Sequence, residues 1–371
     1  MICFLRCAPV NADIRLKKYI QACQSRDINF FALTWDRLGE GTQEIYEIQW
    51  GRFAPYGQRW KNLINKILWQ FFILKNLIKH KSEYKVIHAT NLENILPALI
   101  MKLLLKKRVI YDIYDSSSSD FSKSLFTSWL RKLDIFCIKK SDLLILADKK
   151  RLKQINVDSS IYKSFMDIEN VPNFSDYVVS KNTLDFRLIK LSYVGVFDPL
   201  RGLEELLNFV SKNEGFVLNI AGSGTLLEKV KEYSLNNSRI TYHGTVKYED
   251  GLDIMRGSDF IIGMYYKKAS NHIYAAPNKF FEALYLAKPL ITTNGTLVGD
   301  KVAKYMTGYA LEEGESEISD FFEKCIRDKE IFISEYEIIC KNAADLWNSS
   351  YSNYFENRLK NDYVNFIISL K

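Results

Sequence analysis

The segment AAPNKFFEALYLAKPLITT (residues 275–293) predicts a helix that leads directly into a buried strand. Pro277 suits the start of that helix, because its missing N–H group costs no hydrogen bond there. The run LITT that follows is short and apolar, which is typical of a strand buried in a sheet. A helix followed at once by such a strand is the repeating unit of an α/β fold with a parallel sheet.

The same alternation extends over the rest of the chain. It is interrupted at residues 172–187, where Pro, Asn, Ser and Asp accumulate, and we place a domain boundary there. We therefore expect two Rossmann-like domains, 1–175 and 176–350, with ligands bound in the cleft where they face each other. Residues 351–371 predict a C-terminal helical tail that packs back on the N-terminal domain. Further strands are predicted at residues 2–7, 28–33, 85–89, 109–113, 143–147, 189–196, 216–221, 240–244 and 260–264.

The composition is that of a soluble globular protein. Of 371 residues, 47% are hydrophobic and 26% are charged, which excludes a disordered tail, a collagen-like fibre or a coiled coil. Six scattered cysteines without a C-x-x-C pair, together with only four histidines, predict neither a metal site nor a disulfide framework. The sequence carries no recognisable signal peptide and no spanning segment, so we expect a cytoplasmic protein.

The net charge of +7 is concentrated in the first half of the chain. Residues 1–175 hold 28 basic and 17 acidic residues, and residues 51–110 alone hold 12 basic and 2 acidic ones. From Arg59 to Lys81, lysines alternate with Trp, Phe, Leu and Ile, which is typical of a helix on an anionic membrane surface. A core-packed helix with a solvated basic face is the alternative. No nucleic-acid-binding motif accompanies the charge, so we expect no nucleic-acid partner.

Two glycine-containing turns follow predicted strands in the second half. In YVGVFDPLRG, Gly195 leaves room for a ligand near the backbone, and Arg201 precedes a helix whose first N–H groups favour an anion. In AGSG, Gly222 and Gly224 form half of a dinucleotide fingerprint, but the third glycine is missing. No acidic residue ends the next strand, so the pattern indicates nicotinamide binding only weakly. Ordinary tight turns are the alternative at both places.

Lys279 and Glu282 are the most informative polar pair in the opening segment. Lys279 would lie in the first helical turn, where a cation opposes the helix dipole unless an anion is bound. Glu282 follows one turn later on the same face. A cation for phosphate and a carboxylate for ribose hydroxyls, one turn apart, suit a nucleoside diphosphate. A salt-bridged surface helix is the alternative.

With these motifs, residues 188–310 resemble the nucleotide-sugar domain of bacterial glycosyltransferases with the GT-B fold, especially the retaining family-4 group. The segments KVIHATNLENILPAL, VIYDIYD and ENVPNFSD resemble the N-terminal, acceptor-binding domain of that family more loosely. The resemblance implies transfer of a hexose from a nucleoside-diphosphate sugar to a lipid-linked saccharide for O-antigen or capsule. UDP is the nucleotide that the resemblance favours. The resemblance implies no cofactor and no metal ion, and a place on the inner face of the cytoplasmic membrane.

The resemblance also assigns residues to roles. Arg201 and Lys279 would stabilise the leaving diphosphate, and His88 and Asp115 would act near the donor sugar and the acceptor. The remaining donor contacts implied are Gly195, Gly222, Gly224, His243, Val246 and Glu282. The chain departs from the family where Tyr274 replaces a second glutamate and where His88-Ala89-Thr90 replaces His-x-His. Both departures concern the reacting sugar, and Asn271 and His272 lie close enough in sequence to substitute for the missing residues.

Two other functions fit the same motifs. One is a UDP-sugar 2-epimerase of the same architecture, which would need no acceptor. The other is a non-catalytic module that binds a nucleotide or a lipid.

Overall fold

The computed structural model describes residues 1–39, 43–54, 59–115, 125–179 and 182–370. The chain forms two compact units. Unit 1 is Met1–Glu169 together with Asn353–Lys371, and unit 2 is Asn170–Ser352. The division falls shortly before the boundary predicted from the sequence.

Unit 1 is built on one parallel sheet. Within the described residues its seven strands follow the order β3-β2-β1-β4-β5-β6-β7, so the direction of strand addition reverses between β1 and β4. The strands are β1 (Ile2–Arg6), β2 (Phe30–Asp36), β3 (Glu47–Gly51), β4 (Val86–Thr90), β5 (Arg108–Ile113), β6 (Leu143–Leu146) and β7 (Phe165–Asp167). The helices are α1 (Ile14–Gln24), α2 (Arg59–Lys79), α3 (Leu92–Leu105), α4 (Leu125–Lys140) and α5 (Arg151–Ile155), with a 3₁₀ turn at Val10–Ala12.

Unit 2 repeats the plan. In the described residues its sheet has six parallel strands in the order β10-β9-β8-β11-β12-β13. The strands are β8 (Ile189–Phe197), β9 (Phe216–Gly224), β10 (Ile240–Tyr242), β11 (Phe260–Gly263), β12 (Leu290–Thr293) and β13 (Gly308–Leu311). The helices are α6 (Leu203–Lys212), α7 (Leu227–Asn236), α8 (Tyr248–Arg256), α9 (Ser270–Ile273), α10 (Asn278–Tyr285), α11 (Leu297–Tyr305), α12 (Glu315–Arg327) and α13 (Lys329–Leu346), with a 3₁₀ turn at Pro199–Arg201.

The last residues form a helical tail. After the π-helical segment Trp347–Tyr351, a second π-helical segment (Phe355–Tyr363) leads into α14 (Val364–Ser369). Tyr363 and Val364 are completely buried among the apolar residues of unit 1. The chain therefore returns to the unit in which it begins.

The strands were predictable because both faces of each central strand are covered by helices, which requires continuous apolar runs. Ile2, Cys3, Phe4 and Leu5 in β1 are all completely buried. β3, β7 and β13 were not predicted. They lie at the edges of their sheets and are only partly buried, so they do not need a continuous apolar run.

Gly222 has a packing role that the nucleotide motif alone did not reveal. It pairs with Gly195 across β8 and β9, with φ at +136°. A Cβ atom at Gly222 would lie 1.9 Å from the carbonyl oxygen of Gly195. Only glycine therefore allows the two strand ends to approach this closely.

Among the described residues, no helix has both the length and the apolar character that crossing a membrane requires.

Candidate functional site

The candidate site lies at the carboxyl end of the unit 2 sheet. There β8 and β11 are neighbours, and the direction of strand addition reverses between them. Such a reversal leaves a crevice outside the strand ends, which is where open α/β sheets bind ligands. The helix α10 begins beside this crevice, with Pro277 as its extended N-cap.

Lys279 is held against the end of β8. It lies in the first turn of α10, is only 9% exposed, and donates a hydrogen bond from Nζ to the carbonyl oxygen of Val194. A Cβ atom at Gly195 would lie 3.4 Å from this ammonium group. The bare backbone of Gly195 therefore leaves open the space beside Nζ that a side chain would fill.

The charge of Arg201 acts on Lys279. Its guanidinium carbon lies 4.4 Å from the centroid of the Tyr265 ring, a cation–π contact. Burial lowers the pKa of Lys279 to about 8; Glu282 opposes this change, and the positive charge of Arg201 adds to it. Neither cation forms an ion pair with a carboxylate among the described residues. Two neighbouring cations without such a partner create a positive potential that suits an anionic ligand.

Glu282 lies one turn beyond Lys279 and is 7% exposed. Burial raises the pKa of its carboxyl group, while Lys279 and the Tyr248 hydroxyl act in the opposite direction. The structure thus brings Gly195, Arg201, Lys279 and Glu282 to the same end of the unit 2 sheet, and their binding of a ligand stays a prediction.

The other predicted donor contacts lie on neighbouring loops of the same sheet edge. Gly224 ends β9 and is exposed, and Val246 is half-buried before α8. His243 is exposed, and its Nε2 lies 2.9 Å from the Asn219 side-chain oxygen. Contact of these residues with a nucleotide stays a prediction.

His88 does not fit the role near the donor sugar that the resemblance implied. It lies within β4 with no exposed surface. Its Nδ1 is 2.6 Å from the Tyr363 hydroxyl, and its Nε2 is 3.5 Å from an Asp112 carboxylate oxygen. Burial lowers its pKa, although Asp112 opposes this. His88 is therefore a structural histidine that connects β4, β5 and the tail, and it has no exposed surface for a ligand.

Asp115 lies just beyond β5 and is exposed, unlike the buried Asp112. The side-chain oxygen of Asn91 accepts a hydrogen bond of 3.3 Å from its backbone N–H. Its carboxylate is thus available at the carboxyl edge of the unit 1 sheet, and a role towards an acceptor stays a prediction.

His272, which the sequence offered as a substitute for the missing glutamate, is half-buried beside Tyr265. Two further residues beside these polar groups were missed from the sequence: Tyr248, which is half-buried, and Tyr265, which is buried. No local pattern distinguishes them from the chain's other aromatic residues, because their positions depend on loops between elements. Within the described residues, no group of three or more His, Cys, Asp or Glu is arranged to hold a metal ion.

The pKa of Lys279 gives a pH dependence for anion binding. At pH 8 the group is about half protonated, and a bound diphosphate would raise its pKa. We therefore expect the binding of a diphosphate to take up roughly half a proton at pH 8, and its affinity to fall as the pH rises further. Titration calorimetry in buffers of different ionisation enthalpy measures this uptake. Binding that is equally strong from pH 7 to pH 9.5 and takes up no proton would contradict this role for Lys279.

No family model and no curated protein matches this sequence. Solved structures do match over nearly the whole chain. The Anabaena protein HepE, solved with UDP and glucose, has a TM-score of 0.69 at 14% identity, covering 99% of both chains. Sucrose-phosphate synthase of Thermosynechococcus elongatus has a TM-score of 0.71 at 13% identity, covering 99% of this chain and 97% of that one. The lipopolysaccharide outer core galactosyltransferase WaaB has a TM-score of 0.64 at 16% identity, covering 99% of both chains.

These similarities, together with the two parallel sheets, establish the GT-B fold for this chain, as predicted. At such low identity the similarity shows the fold and leaves the activity open.

Proposed function

We propose that this protein is a glycosyltransferase that moves a hexose from a nucleoside-diphosphate sugar to a saccharide acceptor. The proposal depends most on Arg201 and Lys279 at the strand ends, since neither forms an ion pair with a carboxylate among the described residues and the charge of Arg201 acts on Lys279. A nucleoside diphosphate gains negative charge as it leaves the sugar. Fixed cations in a poorly solvated site stabilise such charge more than water does.

In this proposal the donor lies along the end of the unit 2 sheet. Arg201 and Lys279 bind the diphosphate beside Gly195, and Glu282 accepts hydrogen bonds from the ribose hydroxyls. The loops of Gly222, Gly224, His243 and Val246 receive the base. UDP is the first nucleotide to test, because HepE was solved with UDP and with UDP-glucose. We further propose that transfer retains the anomeric configuration and that these cations, rather than a metal ion, neutralise the leaving group.

We propose that unit 1 binds the acceptor, with Asp115 directed towards it, and that the acceptor is a lipid-linked saccharide for O-antigen or capsule. WaaB is named for a reaction in the lipopolysaccharide outer core, which supports an acceptor of this class. Such an acceptor is carried by a membrane, so the protein would work at the inner face of the cytoplasmic membrane.

The exposed apolar face of unit 1 supports membrane attachment. On α2, Ile64, Ile67 and Phe71 are 58%, 51% and 65% exposed, and on the packed neighbour α3, Leu103 and Leu104 are 83% and 66% exposed. Four lysines are spread along α2, and Lys102 lies in the last turn of α3. Apolar side chains among cations favour an anionic lipid surface, because insertion and charge attraction act together.

Co-sedimentation with phosphatidylglycerol vesicles tests this attachment. Replacing Ile67 and Phe71 by serine is expected to weaken binding at low salt by at least about 10-fold, because two inserting side chains are lost. The matched control replaces Leu235 and Ile331 by serine; these residues are 86% and 73% exposed but belong to unit 2. Equal losses in both variants, or no vesicle binding by the unchanged protein, would contradict membrane attachment through α2.

A thermal-shift screen over UDP-, GDP-, dTDP- and CMP-sugars tests the function. A donor that binds the folded protein raises its apparent stability. We expect a shift with one nucleotide class, followed by release of that nucleoside diphosphate when an acceptor is added. No shift with any donor would refute the proposal. Inversion of UDP-GlcNAc at its second carbon without an acceptor would instead establish the epimerase. Binding of a nucleotide sugar without any turnover would establish a non-catalytic module.

A further inference from the structure

Arg201 lies over an aromatic ring instead of beside a carboxylate. Tyr265, two residues after β11, is only 6% exposed, and the guanidinium carbon of Arg201 is 4.4 Å from the centroid of its ring. Among the described residues, no carboxylate forms an ion pair with Arg201. A guanidinium group is planar, so an aromatic ring at its face leaves the N–H donors at its edge available for an anion.

The backbone fixes both partners of this contact. The Tyr265 N–H donates a hydrogen bond of 2.8 Å to the Thr293 hydroxyl at the end of β12. The N–H of Tyr266 donates a hydrogen bond of 3.0 Å to the carbonyl oxygen of Leu200, directly before Arg201. The ring and the arginine are therefore connected to the same strand ends by hydrogen bonds of the main chain.

Lys279 shows the same arrangement. Its Nζ lies 5.2 Å from the centroid of the Tyr193 ring, and Tyr193 is 3% exposed. The Tyr193 hydroxyl donates a hydrogen bond of 2.6 Å to the carbonyl oxygen of Val196 in β8, which fixes this ring. An aromatic face attracts a cation without carrying a net negative charge. Unlike a carboxylate, it therefore neither neutralises the cation nor repels an anionic ligand.

We propose that Tyr265 is a positioning residue for diphosphate binding: its ring holds the guanidinium group of Arg201 in place and leaves the edge of that group free for phosphate. The inference rests on the proposed function, since it requires a nucleoside diphosphate at Arg201 and Lys279. The long side chain of arginine loses conformational freedom when it binds a ligand. A contact that fixes the side chain beforehand reduces this loss, and so strengthens binding.

Two variants separate the ring from its hydroxyl group. Tyr265→Leu removes the ring but keeps an apolar side chain, and we expect it to weaken UDP binding by about 3- to 30-fold. Tyr265→Phe keeps the ring and should bind UDP within about 2-fold of the unchanged protein. The matched control is Tyr336→Leu. Tyr336 is completely buried in the apolar core of unit 2, with its ring 5.5 Å from that of Phe260, and its loss should lower stability without changing UDP affinity.

A second background tests whether the effect passes through Arg201. In Arg201→Met the guanidinium group is absent, so the further change Tyr265→Leu should cost no additional UDP affinity. A general loosening of the structure would weaken binding equally in both backgrounds.

If Tyr265→Leu does not fold, trifluorophenylalanine introduced at this position takes its place. Fluorine withdraws negative charge from the ring face while the ring keeps nearly the same shape. We then expect weaker UDP binding than in Tyr265→Phe.

Calorimetry with UDP, or with the nucleoside diphosphate that the thermal-shift screen identifies, decides the matter. The inference fails while the proposed function stands if removing or fluorinating the ring leaves the affinity unchanged. It fails in the same way if Tyr265→Phe loses as much affinity as Tyr265→Leu, or if the loss persists in Arg201→Met. If no nucleoside diphosphate binds the unchanged protein, the proposed function fails and the inference fails with it.

Discussion

Replacing Lys279 by methionine is expected to weaken UDP binding by roughly 100-fold or more, because a buried ammonium group bound to phosphate contributes several kcal/mol. Methionine keeps most of the length and the apolar stem of lysine. It also removes a cation that burial already disfavours, as the lowered pKa of Lys279 shows. The variant should therefore fold with unchanged or higher thermal stability while losing the ligand. Calorimetric titration with UDP, alongside a thermal melt, measures both quantities.

The matched control is Lys268→Met. Lys268 is an exposed lysine on the loop after β11 in the same unit, and it has no place in the proposed site. We expect it to bind UDP like the unchanged protein, so a comparable loss in both variants would indicate a general charge effect. If Lys279→Met binds UDP as strongly as the unchanged protein, Lys279 does not bind the diphosphate.

Replacing Asp112 by asparagine is expected to destabilise unit 1 by about 3–5 kcal/mol. Asp112 is completely buried and accepts hydrogen bonds from Arg15 Nε at 3.1 Å and Nη2 at 3.0 Å, and from the Tyr19 hydroxyl at 2.8 Å. Burial by itself raises the pKa of this carboxyl group, but Arg15 and His88 outweigh it and hold the pKa at about 2. Asparagine would leave the buried guanidinium of Arg15 without its counter-charge.

Denaturant unfolding followed by circular dichroism measures this loss. The control is Asp115→Asn, which changes an exposed carboxylate three residues away and should alter stability by less than about 0.5 kcal/mol. Because the folded pKa of Asp112 is depressed, its contribution should be present above pH 4 and disappear as the pH falls towards 2. Equal stability of both variants would show that the ion pair contributes little.

The fold was largely predictable because each central strand is a short apolar run between helices. The helix start at Pro277 and the position of Lys279 in the first turn of α10 follow from local sequence rules, and the structure has both. The edge strands β3, β7 and β13 were missed, because a partly buried strand does not need a continuous apolar run.

The residues of the candidate site could be predicted only where they belong to a sequence motif. Gly195, Arg201, Lys279 and Glu282 meet because strand ends and helix starts share one edge of a parallel sheet. His88 was misjudged, because nothing local shows that Tyr363, 275 residues away, covers it. Tyr265 was overlooked for the same reason, since only the folded loop brings it to Arg201.

The most direct test asks whether Arg201 and Lys279 bind a diphosphate. Calorimetry measures the affinities of uridine, UMP and UDP for the unchanged protein and for the double variant Arg201→Met with Lys279→Met. If the two cations bind a diphosphate, each added phosphate should tighten binding to the unchanged protein, with UDP at least about 10-fold tighter than UMP. In the double variant the three affinities should converge. Three equal affinities in the unchanged protein, or a series that survives in the double variant, would contradict the assignment.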